Sequence, residues 1–106
     1  MGTETMGDMM TVEKLVSRQE RLVQLAEECA ELSKAALKLR RALGGGTPTP
    51  ISPQEAEADF MEELSDVYTC IIALGYDNPK YAKKIDETVR QKFKRWAERL
   101  KAAEGE

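Results

Sequence analysis

The stretch RLVQLAEECAELSKAALKLRRAL, residues 21–43, places apolar side chains at steps of three, four and seven residues. That spacing is typical of one face of an α-helix. Continued backwards, the stripe consists of Leu15, Leu22, Leu25, Cys29, Leu32, Ala36, Leu39 and Leu43. It predicts one long helix from about Thr11 to the glycines at 44–46. Residues 1–10 lack this periodicity and are predicted to form a flexible N-terminus.

A second apolar stripe lies beside the first on the same helix. Its members are Val12, Val16, Val23, Ala26, Ala30 and Leu37. Together the two stripes form an apolar arc broader than one neighbouring helix covers. The first helix is therefore expected to have more than one partner, which favours association between copies of the chain.

Two further helices follow, each with a recognisable start. Ser52 is a predicted N-cap with Pro53 at the first helical position and Glu55 closing a capping box, and Asn78 with Pro79 repeats the cap-and-proline signal. The stripe of the second helix is Phe60, Leu64, Val67, Ile71 and Leu74, and that of the third is Ala82, Ile85, Val89, Phe93, Trp96 and Leu100. No strand pattern occurs. The sequence predicts an all-α fold over residues 11–106, an antiparallel helical hairpin plus a third helix, completed into four-helix-bundle-like cores by homo-oligomerisation.

Composition excludes several classes of protein and of site. The net charge is only -3, so a nucleic-acid partner is not expected, and no apolar run is long enough to cross a membrane. Cys29 and Cys70 both fall in helical patterns and are interpreted as packing residues, which fits a reducing cytoplasm. The chain contains no histidine, the commonest ligand of zinc and of non-haem iron. Any metal site must therefore use carboxylates.

The first acidic cluster is EECAE, residues 27–31, in the middle of the long helix. Glu27 and Glu28 have no Lys or Arg three or four residues away, and Glu31 has only Lys34. Like charges at this spacing repel one another on a helix. Either the cluster is a solvated face, or a cation is expected there.

A second acidic pair, Glu63 and Asp66, has the same helical phase as Glu28 and Glu31. Each pair begins one residue before a stripe residue, which predicts its first acid at the edge of the buried seam. Counted from the loop between the helices, the first pair lies about 18 to 22 Å along its helix and the second about 15 to 20 Å. A simple hairpin is expected to bring all four carboxylates into one patch.

Four carboxylates in one groove repel one another and have raised pKa values unless a hard cation is bound. Mg2+ is the predicted ion, with Mn2+ as a substitute, because it takes oxygen ligands and bridges carboxylates to substrate phosphates. A di-iron bundle would require Glu-x-x-His motifs, and this chain has no His.

With these residues in place, the chain resembles the MazG-like, all-α nucleoside triphosphate pyrophosphatase superfamily, which includes dimeric dUTPases and dCTP pyrophosphatases. EECAE has its Glu-Glu-x-x-Glu form and ELSD its Glu-x-x-Asp form, while DVYTCIIALG and VRQKFKRW are similar to its continuation, over about residues 15 to 96. The resemblance implies a homodimer or homotetramer that hydrolyses a nucleoside triphosphate to monophosphate and pyrophosphate with Mg2+, in nucleotide-pool clean-up.

The resemblance also assigns roles to residues. Metal ligands would be Glu28, Glu31, Glu63 and Asp66. Glu27 would position or deprotonate the attacking water, and Lys92 and Arg95 would contact phosphate. Two alternatives stay open: a noncatalytic helical interaction module whose acids are surface decoration, and a phosphoribosyl-ATP pyrophosphohydrolase. Trp96 either packs in a core or stacks on a base.

Overall fold

The computed structural model of the chain describes residues 2–44 and 50–105. They form four helices, α1 (Thr3–Leu15), α2 (Arg18–Ala42), α3 (Pro53–Ala73) and α4 (Pro79–Glu104), with no strand among them. This confirms the all-α prediction. Most of the breaker segment between α2 and α3 lies outside the described residues. The chain divides into two compact units, one up to Gly75 and one from Tyr76 onward.

The prediction of one helix from Thr11 to the glycines at 44–46 was wrong, because the chain leaves the helix at Val16 and Ser17. Val16 is extended, with φ -116° and ψ 123°. The Ser17 hydroxyl then accepts a hydrogen bond from the backbone N–H of Glu20 at 3.1 Å, which caps α2. Regular structure also begins earlier than expected, since α1 starts at Thr3, inside the predicted flexible terminus.

The helix starts and stops around α3 follow the sequence signals. The Ser52 hydroxyl accepts a hydrogen bond from the backbone N–H of Glu55 at 3.1 Å, with Pro53 at the first turn. Gly44 and Gly75 have φ values of +93° and +83°, the left-handed conformation that commonly ends a helix. The stops predicted at 44–46 and at Gly75 are therefore confirmed.

In the first unit, α2 and α3 pack against each other in antiparallel directions. Arg21, at the start of α2, reaches Ala73 at the end of α3, whereas Lys38 shares a cavity with Asp59 near the start of α3. The buried apolar residues are Ala35, Ala56, Val67, Cys70 and Leu74. No large side chain among the described residues is completely buried. This unit therefore has a small core.

The α2 residues that face α3 agree with the predicted stripe at Leu25, Leu32 and Leu39 and lie one residue earlier at its other positions. The half-buried or buried positions of α2 are Arg21, Leu25, Glu28, Leu32, Ala35, Leu39 and Ala42. Cys29, predicted in the buried stripe, is exposed, and Glu28 takes its place in the seam. The packing interpretation of Cys70 is confirmed, because this residue is buried on α3.

One arginine joins the break between α1 and α2 to the end of α3. Its Nε donates a hydrogen bond to the carbonyl oxygen of Val16 at 3.2 Å, and its Nη1 donates to the carbonyl oxygen of Ala73. Carbonyl groups in the last turn of a helix have no partner within the helix, and a positive charge there is favourable. Arg21 therefore stabilises two helix ends at once.

We expect Arg21→Ala to lower the free energy of unfolding by about 1 to 3 kcal/mol, the usual range for hydrogen bonds that involve a charged group. Urea denaturation followed by circular dichroism measures this change. Arg41→Ala is the matched control, because the Arg41 side chain is exposed and has no hydrogen bond within the described residues. Equal losses in both variants would show that the two contacts of Arg21 contribute nothing.

The second unit contains α4, whose first turn is capped by the Asn78 side chain, which accepts a hydrogen bond from the backbone N–H of Lys80 at 3.0 Å. The predicted stripe lies along one side of this helix. Within it, the rings of Phe93 and Trp96 stack with centroids 6.2 Å apart and an interplanar angle of 12°. The Trp96 side chain is 55% exposed, so within this unit it is not a core residue.

Candidate functional site

Three carboxylates from two helices meet in the seam between α2 and α3. Each of Glu28, Glu63 and Asp66 offers one carboxylate oxygen, and these oxygens all lie within 4.8 Å of one another. Glu28 comes from α2, whereas Glu63 and Asp66 are three residues apart on α3. All three side chains are half-buried. The structure thus brings together three of the four predicted ligands, which we call the carboxylate cluster.

The cluster lies deeper than the sequence suggested. Glu28 continues the line of half-buried α2 residues between Leu25 and Leu32, and Glu63 does the same on α3 between Phe60 and Val67. Because these positions are three or four residues apart, they lie on one helical face. The prediction that the first acid of each pair lies at the edge of the seam was therefore wrong for these two residues.

The position in the seam has an electrostatic consequence for Glu63. Burial raises the pKa of its carboxyl group above the ordinary value, and the negative charges of Asp66, Glu28, Glu31 and Glu62 raise it further. Neighbouring like charges disfavour the ionised form, and a bound cation reverses that effect. Carboxylate oxygens are also the donors that hard divalent cations prefer. The cluster therefore fits Mg2+ or Mn2+ in both charge and donor type.

An amide that the sequence analysis did not identify holds one of the carboxylates. Gln24 Nε2 donates a hydrogen bond to Glu28 Oε1 at 2.7 Å, one helical turn away on α2. A hydrogen bond to a ligating carboxylate fixes its orientation and commonly affects metal affinity. The only signal in the sequence was the spacing of four residues between Gln24 and Glu28, which is common in helices.

We expect Gln24→Ala to weaken Mn2+ binding by about tenfold, the lower end of the usual effect of removing a partner of a metal ligand. Isothermal titration of the metal-free protein with Mn2+ measures the affinity. Gln54→Ala removes an exposed amide on α3 outside the site and should bind Mn2+ like the parent protein. Parent-like affinity in the Gln24 variant would mean that this hydrogen bond does not orient the ligand.

The remaining predicted site residues lie outside the cluster. Glu31 is exposed, and its Oε1 pairs with Lys34 Nζ at 3.3 Å, although its charge still acts on Glu63. Glu27 is exposed and has no hydrogen bond or ion pair within the described residues. The roles of both residues stay predictions.

Lys92 and Arg95 lie on α4, in the second unit. Both are exposed, and they line the same surface of that helix as Phe93 and Trp96. A basic and apolar surface of this kind is compatible with a nucleotide phosphate, but also with a solvated face. The predicted phosphate contacts of these two residues therefore stay predictions.

Known proteins do not identify this chain. No protein-family model, curated protein or solved structure matches it. The interpretation of the site therefore depends on its own residues and on the motifs that carry the resemblance. None of the helices in the described part of the chain is long and apolar enough to span a membrane.

A cleft of about 330 Å3 lies next to the cluster on the α1 side. Its lining is mostly apolar, and it also contains Glu20 and Arg21, one charge of each sign. The other lining residues are Val12, Val16, Gln24, Thr69, Cys70 and Ala73. Burial raises the pKa of the Cys70 thiol, and the charges of Glu28 and Asp66 add to the effect. The thiolate is the reactive form of cysteine, so this shift makes Cys70 less readily ionised than an exposed thiol.

Proposed function

We propose that the protein is a Mg2+-dependent nucleoside triphosphate pyrophosphohydrolase that acts in the cytoplasm as a homodimer or homotetramer, in nucleotide-pool clean-up. The observation that supports this most strongly is the convergence of Glu28, Glu63 and Asp66, from two helices, within 4.8 Å in a half-buried seam. This arrangement costs stability unless a cation is bound. The motif resemblance then supplies the reaction, hydrolysis to monophosphate and pyrophosphate.

Each residue of the site has a defined task in this proposal. Glu28, Glu63 and Asp66 would hold the metal ion, and Gln24 would keep Glu28 oriented. Glu31, which lies outside the cluster and pairs with Lys34, is the fourth ligand that the resemblance assigns. When bound, Mg2+ would neutralise charge on the triphosphate and lower the pKa of a coordinated water. Glu27 is the residue that the resemblance assigns to positioning or deprotonating the attacking water. Lys92 and Arg95 have the role of phosphate contacts by the same resemblance.

The noncatalytic alternative explains the cluster less well. Acidic residues without a binding role usually lie on solvated helix faces, where water and salt screen their mutual repulsion. Glu28 and Glu63 instead occupy positions of the α2–α3 seam that would normally hold apolar residues, and burial raises the pKa of Glu63. A charged residue in such a position destabilises the fold unless it has a partner. The seam position therefore favours a binding role.

Pyrophosphate release from a panel of nucleoside triphosphates, with and without Mg2+, tests the proposal. The panel contains ribo and deoxy forms of each base and phosphoribosyl-ATP. We expect turnover of at least one triphosphate that EDTA abolishes, with the monophosphate as the second product. Turnover of phosphoribosyl-ATP alone would favour the alternative enzyme, and no turnover of any substrate would overturn the proposal.

Metal binding gives a separate prediction that requires no substrate. Millimolar Mg2+ or Mn2+ should raise the melting temperature of the metal-free protein, because a ligand that binds only the folded state stabilises it, by about 2.7 kcal/mol at one hundred times its dissociation constant. Differential scanning fluorimetry measures this shift. NaCl at equal ionic strength is the control, and equal shifts in both salts would contradict a specific metal site.

A further inference from the structure

The carboxylate cluster has a second cavity beside it, on the side away from α1. This cavity has a volume of about 200 Å3 and lies between α2 and α3. Its α2 wall contains Glu31 and the basic residues Lys34 and Lys38, and its α3 wall contains Asp59, Glu62 and Glu63. We call it the lysine pocket. It shares Glu63 with the carboxylate cluster and is therefore continuous with it.

The two lysines lie on the side of α2 that lines this pocket, next to the face that carries Glu28. Glu28, Glu31, Lys34 and Lys38 follow one another at steps of three, three and four residues. At about 100° per residue, Glu31, Lys38 and Lys34 are rotated by about 60°, 80° and 120° from Glu28 in the same sense, so they flank the seam, and the Cα–Cβ bonds of a helix tilt toward its N-terminus. The α2 N-terminus lies on the Glu28 side. The Cα–Cβ bonds of both lysines therefore tilt toward the carboxylate cluster, with Lys34 and Lys38 displaced by about 9 and 15 Å of helix axis from Glu28.

Little in the described structure competes for these two ammonium groups. Lys38 has no ion pair or hydrogen bond there, although acids line the opposite wall. Lys34 pairs with Glu31 at 3.3 Å, but its side chain is 74% exposed. Exposed ion pairs of this kind contribute between 0 and about 1 kcal/mol. Both lysines are therefore available to an incoming anion.

The opposite wall limits which anion enters. Asp59, Glu62 and Glu63 would repel a bare phosphate, so the pocket suits an anion that arrives with its own divalent cation. On the far side of the cluster, the cleft near Val12 and Val16 has a mostly apolar lining, in which Glu20 and Arg21 contribute one charge of each sign. The groove thus changes along its length from a mostly apolar cleft, through the carboxylate cluster, to a pocket that contains two lysines among acids. A nucleoside triphosphate has the same order, with an uncharged base and sugar at one end and phosphates at the other.

We infer that Lys34 and Lys38 bind the two outer phosphates, which leave as pyrophosphate, and thereby set the direction of the substrate in the groove. The nucleoside then lies in the cleft next to α1, and the bond to be cleaved lies at the carboxylate cluster. Both lysines contribute as point charges that offset the negative charge on the leaving group. This inference rests on the proposed function.

Calorimetric titration with inorganic pyrophosphate and Mg2+ tests the inference without turnover. We expect the double variant Lys34→Ala/Lys38→Ala to bind magnesium pyrophosphate at least tenfold more weakly than the parent protein. Its affinity for the nucleoside monophosphate product should stay unchanged, because that product lies on the other side of the cluster. Lys38→Arg, which keeps the charge, should retain most of the pyrophosphate affinity.

The matched control is Lys14→Ala/Lys101→Ala, which changes the net charge equally at exposed positions outside the pocket. It should bind magnesium pyrophosphate like the parent protein. Parent-like affinity in the Lys34/Lys38 variant, or an equal loss in the control, would overturn the inference. A loss of monophosphate affinity in place of pyrophosphate affinity would also overturn it, because the substrate would lie in the reverse direction.

The same measurements separate this inference from the proposed function. If the parent protein hydrolyses a triphosphate while the Lys34/Lys38 variant binds pyrophosphate normally, the function stands and the inference fails. If no triphosphate is hydrolysed but pyrophosphate binding requires the two lysines, the function fails and the anion site stands. Circular dichroism and the melting temperature of each variant show that the fold is intact, as expected for exposed side chains.

Discussion

Asp66→Asn and Glu28→Gln are each expected to reduce Mg2+-dependent hydrolysis at least a hundredfold while the protein stays folded. Both substitutions preserve side-chain size and remove one charge from a cluster whose oxygens lie within 4.8 Å of one another. The metal-free variants should be more stable than the parent protein, since one source of mutual repulsion is removed. Steady-state kinetics and urea denaturation in EDTA measure the two effects.

Glu57→Gln is the matched control for these variants. Glu57 is an exposed acid on α3 outside both acidic motifs, so its removal should leave the rate near that of the parent protein. Opposite movements of activity and stability in Asp66→Asn would support a metal-ligand role. Parent-like Mg2+-dependent turnover in both motif variants would show that the site is wrong.

In solution the protein should sediment as at least a dimer, with a mass of twice 11.9 kDa or more. The first unit buries only small or medium-sized apolar side chains and leaves others uncovered on the outer faces of its helices. Val23 and Leu37 of the second α2 stripe are 58% and 61% exposed, and Tyr68 of α3 is 58% exposed. Burying such faces between copies gives each chain the core it lacks.

Leu37→Glu tests whether the second apolar stripe of α2 forms the interface between copies of the chain. A buried unpaired carboxylate is costly, so this variant should shift sedimentation equilibrium strongly toward the monomer. Gln54→Glu adds the same charge at an exposed polar position and should leave the assembly unchanged. A parent protein that is entirely monomeric at high micromolar concentration would contradict the proposed assembly.

The sequence predicted helix limits well where side chains cap the helix and poorly where a cap interrupts an apolar pattern. Ser52 and Pro53 mark the start of α3, and glycines with positive φ end α2 and α3. The break at Ser17 also has a signal, because Glu20 follows it by three residues. Leu15 and Leu22, however, are seven residues apart and continue the stripe across the break. The continuous apolar pattern therefore predicted one helix where the Ser17 cap divides it into two.

Three members of the carboxylate cluster were predictable from the sequence, whereas its depth and the position of Glu31 outside it were not. A shared helical phase and a common distance from the loop were enough to bring Glu28 together with Glu63 and Asp66. The rotation of α2 about its axis was not predictable. Cys29 and the alanines near it are small apolar residues, and they fit two neighbouring helical stripes almost equally well. The roles of Gln24 and Lys38 were missed because they depend on residues of α3. The sequence of one helix does not show which residues face it.

The Ser17 cap makes α1 a helix separate from α2. Because α2 has its own start signal and its own hydrogen-bonded first turn, it begins without a continuous helix from α1. Yet α1 supplies Val12 and Val16 to the cleft in which we place the base and sugar. In the proposed function, substitutions in this short N-terminal helix would therefore alter substrate preference, whereas the three carboxylates that would hold the metal lie on α2 and α3.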